Sequence, residues 1–93
     1  MTDTQRLAIL KQDLQLLTNA NDDFLMTLIL AAKNAIETEG IALVEGNVLV
    51  DTVIVQYAAY LFRKRASEET MMPRYLRYQL NQLLFSQKVG GEA

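Results

Sequence analysis

The 93-residue chain contains no cysteine, no histidine, no tryptophan, one proline and four glycines. Without cysteine there is no disulfide, no thiolate metal site, no haem attachment and no thiol nucleophile. Without histidine there is no imidazole base and no preferred transition-metal ligand. The two serines, Ser67 and Ser86, therefore have no histidine to activate them. Charge is nearly balanced, with 9 Lys+Arg against 11 Asp+Glu and a net charge of −2. A tight nucleic-acid binder usually carries a basic excess, which this chain lacks. Long apolar runs are missing too: a run such as Leu28–Ala32 is far short of the ~20 residues that span a bilayer. The opening residues Met1–Arg6 are polar, unlike a secretory signal. These features predict a soluble protein made in the cytoplasm, with no membrane contact.

What the chain does have is apolar surface: 51% of its residues are hydrophobic. A domain this short hides only about 60–65% of its unfolded surface on folding. Some of the apolar surface is therefore expected to meet a partner.

Four segments show helical spacing. Leu7, Leu10, Leu14 and Leu17 place one stripe on a helix over about 4–17, with Thr2, Asp3 or Thr4 as its cap. Asn21-Asp22-Asp23 opens a second helix that reaches Glu39 and stops at Gly40. The acidic pair reads as a cap and dipole partner rather than a metal site. Leu25, Leu28, Ile29, Ala32 and Ile36 form its apolar face, opposite Asp23, Thr27, Asn34 and Thr38. Met26 and Leu30 fall outside that face. Residues 41–50 carry β-branched residues on both sides of Gly46-Asn47, which predicts a hairpin or extended arm.

A third helix over about 51–65, capped by Asp51, is apolar on most sides and is expected at the centre of the fold. Ser67–Thr70 reads as a loop, with Glu68-Glu69 a solvated pair. A fourth helix follows Pro73, placed at its first position, and runs to about Lys88. Leu76, Leu80, Leu83 and Leu84 make its core face, while Tyr75, Tyr78 and Phe85 lie elsewhere on the wheel. Residues 89–93 read as a flexible tail, and 1–88 as one all-α, four-helix domain.

Two groups are candidates for contacts. The apolar group comprises Met26, Leu30, Tyr75, Tyr78 and Phe85, with Ile41, Leu43, Val44, Val48 and Leu49 of the arm. The basic group is Arg63, Lys64, Arg65, Arg74 and Arg77, suited to a polyanion or an acidic protein surface. Its neighbours Tyr75 and Tyr78 suit either base stacking or a protein interface. No constellation for nucleophilic, acid–base or metal catalysis is present, so neither enzyme activity nor a cofactor is expected.

Several stretches resemble the tailed-phage head–tail connector family, also called head-completion, adaptor or DNA-packaging proteins. The stretches are Leu10-Lys11-Gln12-Asp13-Leu14, Asn21–Leu25, Leu28–Ala32 with Ile36, and Gln56–Leu61. The most specific is Met72-Pro73-Arg74-Tyr75-Leu76-Arg77-Tyr78-Gln79-Leu80-Asn81, which is similar to the last helix of the prophage-encoded branch. The resemblance covers about residues 7–88. It implies a mainly helical subunit that forms a ring of about a dozen copies on the portal vertex. It also implies contacts with the portal protein and a stopper or tail-completion protein, with DNA only passing through the channel. The implied location is the head–tail junction of the virion, after synthesis in the bacterial host. The arm at 41–50 is more hydrophobic than the family's exposed connecting loop, which predicts that it packs on a neighbour. The alternative, from the residues alone, is a small helical binding module for nucleic acid or a regulatory protein.

Overall fold

In the computed structural model, residues 1–66 and 71–90 are described. They form four helices: α1 (Asp3–Leu14), α2 (Asp22–Thr38), α3 (Val48–Ala66) and α4 (Arg74–Gly90). The expected loop at 67–70 and the end of the expected tail, 91–93, lie outside the described residues. Residues 89 and 90 continue α4 instead of beginning a tail.

Local chemistry sets the first helix. Thr2 Oγ1 accepts from the Gln5 amide at 3.2 Å, and Gln5 Oε1 accepts from the Thr2 amide at 2.8 Å. This reciprocal capping box satisfies two amides that the helix itself leaves without partners. The other end closes earlier than the leucine spacing predicts. Gln15 adopts a left-handed conformation (φ 59°), its amide donates to the Gln12 carbonyl, and the Leu16 amide donates to that of Lys11. This closure turns Leu16 back onto the core and leaves Leu17 96% exposed, so Leu17 is not part of the buried stripe.

The second helix ends the same way, with a glycine at the turn. Gly40 (φ 95°) donates to the Glu37 carbonyl, and the Ile41 amide donates to that of Ile36. Ile41 and Ile36 then join one buried cluster, the hydrophobic contact that accompanies such a closure.

The expected hairpin at 41–50 does not form; the described residues contain no strand. Asn47 caps α3 instead. Its Oδ1 accepts from the Leu49 and Val50 amides at 2.9 and 3.2 Å, and its carbonyl accepts from the Asp51 amide. Val48–Val50 therefore become the first helical turn, and only the short stretch before Asn47 is irregular. Asp51, expected to be the cap, is freed for a different partner. At the fourth helix, Pro73 sits one residue before the first helical position, where its carbonyl accepts from the Arg77 amide.

The central placement of α3 holds. It packs against α1, α2 and α4, while α1 also meets α2. Val50, Val53, Ile54, Val55, Ala58, Ala59 and Tyr60 are buried along it. Leu25, Ile29, Ala32 and Ile36 face it from α2, Leu10 from α1, and Leu76, Leu80 and Leu83 from α4. Each fully buried Leu or Ile contributes about 1.5–3 kcal/mol relative to exposure.

One polar network is sealed inside. Arg6 on α1 donates to Asp51 Oδ1 from Nη2 at 2.8 Å and from Nε at 3.2 Å. Both residues are only 7% exposed. Arg6 also pairs with Asp3, which Lys33 of α2 approaches at 3.3 Å. Burial alone would raise the Asp3 carboxyl, but hydrogen bonds from Arg6 and Lys33 outweigh it and hold the group below its ordinary value.

Candidate functional site

The sequence-predicted contact residues fall on three places. The first is the outer side of α4. Leu76, Leu80 and Leu83 turn this helix toward α3, so Tyr75, Tyr78 and Phe85 are left on the solvent side. Tyr78 is 63% and Phe85 68% exposed. With Gln82 they recur at intervals of three, four and three residues, an a/d-type spacing on one stripe. Gln82 Nε2 donates to the Tyr78 hydroxyl at 2.6 Å, which steadies the centre of the stripe.

The second place is the outer side of α2, where Leu30 is 53% exposed. Around it lie Thr27, Ala31 and Asn34, all exposed and small or polar. Met26 does not share this surface: it is half-buried against the core. The third place is the start of α3 with the stretch before it. Val44, Val48 and Leu49 are exposed there, while Leu43 is half-buried and Ile41 is buried within its own chain. The closure at Gly40 that drew Ile41 inward has no signal in apolar spacing, which is why Ile41 grouped with the exposed residues in sequence.

The basic group is distributed rather than gathered. Arg63 reaches Asp13 of α1 at 3.1 Å. Lys64 sits 5.9 Å from the Tyr60 ring centre and Arg65 4.8 Å from that of Phe24, both cation–π distances. Arg77 pairs with Glu39 at the end of α2, and this pairing raises the Arg77 pKa further. Close by, burial raises the Tyr57 phenol, with the Glu39 charge adding to it. Two of the five cations, Arg63 and Arg77, are thus ion-paired within the chain, while Lys64 and Arg65 lie over rings with their side chains exposed and Arg74 stands exposed at the head of α4.

Sequence reasoning missed Gln87. Its Oε1 accepts from the Ala42 amide at 2.7 Å and its Nε2 donates to the Ala42 carbonyl at 2.8 Å. This two-point clamp ties α4 to the stretch between α2 and α3, across 45 positions. A lone glutamine on a helix gives no hint of such a partner.

Beside these exposed surfaces the fold has a cleft near the buried ion pair. It lies between α1 and α3 and is lined by Ile9, Asp51, Thr52, Val55 and Gln56. Met1 and Asp13 line it too, and its hydroxyl, Thr52 Oγ1, donates to the Val48 carbonyl at 2.9 Å. Among the described residues no group of three or more His, Cys, Asp or Glu is placed to hold a metal ion. Nor is any described helix long and apolar enough to cross a membrane. No family model, no curated protein and no solved structure matches the chain.

Proposed function

We propose that this chain is a structural subunit of a phage or prophage head–tail connector. It acts without catalysing a reaction, by docking as a ring on the portal vertex once DNA is packaged. The ring then presents a platform for the stopper or tail-completion protein at the head–tail junction of the virion. The observation that carries this reading is the uncovered aromatic side of α4, on a helix whose other side is fully used by the core. That helix begins within the stretch Met72–Asn81, where the resemblance to connector proteins is most specific. Aromatic residues on an exposed helix face are the composition of a protein interface. Leu30 on α2 supplies a second, different surface, as a ring requires of each subunit.

The alternative reading, a small helical binding module for nucleic acid or a regulatory protein, draws less support on its nucleic-acid side, because Arg63 and Arg77 are ion-paired within the chain and the net charge is −2. In the connector reading DNA slides past a mildly acidic protein that does not grip its phosphates. Light scattering after size exclusion, run with and without purified portal, tests the proposal. The expected result is a discrete ring of about a dozen copies, alone or on the portal. A chain that stays monomeric in both, or that binds duplex DNA tightly at physiological salt, overturns it.

A further inference from the structure

We infer that the outer side of α4 seats on the outer side of α2 of a second copy of this chain. The inference rests on the ring reading above and names the two surfaces that meet. Its basis is the placement of charges that the fold leaves without partners. Among the described residues, the side chains of Asp23 and Glu37 on α2 have no ion pair or hydrogen bond, and neither do those of Arg74 and Lys88 on α4. The carboxylates of Asp3, Asp13, Asp22, Glu39 and Asp51 are each ion-paired inside the chain.

The unpartnered charges have matching spacing. Asp23, Leu30 and Glu37 are seven residues apart in turn, and so are Arg74, Asn81 and Lys88. A seven-residue interval keeps each set on one column of its helix. Both end-to-end charge separations are about 21 Å at the helical rise. Laid together, the two columns bring an acid against a base at each end and Leu30 against Asn81 in the middle. This holds for either relative direction of the helices.

Shape and sign agree. Tyr78 and Phe85 project beside the basic column, and the surface beside the acidic column is small: Thr27, Ala31 and Asn34. Bulky side chains on one helix thus meet a shallow face on the other. Pairing α4 with a second α4 fails on charge, because residues 74–90 contain no acid to face Arg74 or Lys88. Pairing α2 with a second α2 sets Asp23 and Glu37 against their own kind. Like-charge juxtaposition suppresses both wrong arrangements. A contact between two different surfaces of one chain is heterologous, so it propagates and closes into a ring when the rotation allows.

The absence of cysteine makes the test clean. Leu30→Cys and Asn81→Cys copies, distinguishable by mass, are mixed at high concentration and oxidised. Mixed disulfide dimers are expected about tenfold above either like-with-like product, given the cost of like-charge contacts. Adding Asp23→Lys and Glu37→Lys to the first copy removes that excess. Adding Arg74→Glu and Lys88→Glu to the second copy restores it, which separates a lost contact from a lost fold. A statistical product ratio, or Asn81→Cys copies pairing chiefly with themselves, overturns the inference. A discrete ring with statistical cross-linking sinks this contact alone. Preferential cross-linking by a chain that never reaches a ring or a portal sinks the connector reading alone.

Discussion

The two ends of this bundle are held by different means. At the α1–α3 end a charged network lies inside, with Arg6 between Asp51 and Asp3 and Lys33 closing it from α2. At the α4 end the helix rests on α3 through leucines, with the Arg77–Glu39 pair and the Gln87 clamp at its margins. The first end pairs its charges with one another across three helices. The second satisfies one side of a helix and leaves aromatic surface outside. Burial thus joins three helices through charge in one region, while in the other it covers one side of a helix and leaves the opposite side open.

That contrast breaks most readily at Arg6. Arg6→Ala leaves the buried Asp51 with only the N-terminal ammonium, 3.7 Å away, and is expected to cost about 3 kcal/mol, read by chemical denaturation. A smaller part of the same network titrates. Asp3 is held below its ordinary pKa, so its contribution is present above about pH 4 and disappears as pH falls through the lowered value. Asp3→Asn is expected to flatten the acid limb of a stability–pH profile measured by urea denaturation. At the other end, Gln87→Ala removes two hydrogen bonds that water can partly replace. It is expected to cost about 1 kcal/mol and to speed amide hydrogen exchange at Ala42. The smallest effect on folding sharpens the comparison furthest. Phe85→Glu is expected to change stability by about 0.5 kcal/mol or less while abolishing self-association, read by denaturation and light scattering together. A large loss of stability in that variant means that Phe85 serves the fold.

Much of the fold was legible where one face of a helix does one job. The leucines of α4 and the apolar face of α2 pack as their spacing predicts, and the hydrophobicity of α3 on most sides places it centrally. Legibility failed where a backbone turn reassigns a residue. Gln15 turns left-handed and exchanges Leu16 for Leu17 at the core. Asn47, beside Gly46, looks like the turn of a hairpin, yet the same side chain caps a helix as well as it fills a turn. Long-range pairing was equally hidden. Arg6 and Asp51 stand 45 positions apart, and nothing local in either marks the other. The candidate surface divides the same way. Tyr75, Tyr78, Phe85 and Leu30 are exposed because they sit off a well-defined core face. Ile41 and Met26 depended on how a turn and a helix rotation settled.

The Gln87 clamp has a mechanical meaning. It joins the far end of α4 to the segment between α2 and α3, while the near end starts directly after Pro73. A pull along the helix axis, applied through the aromatic side, cannot slide α4 over α3 without first shearing two hydrogen bonds loaded in parallel. The joint therefore resists slippage along the axis, and a load on the outer face passes into the bundle through that clamp together with the Arg77–Glu39 pair and the leucine contacts.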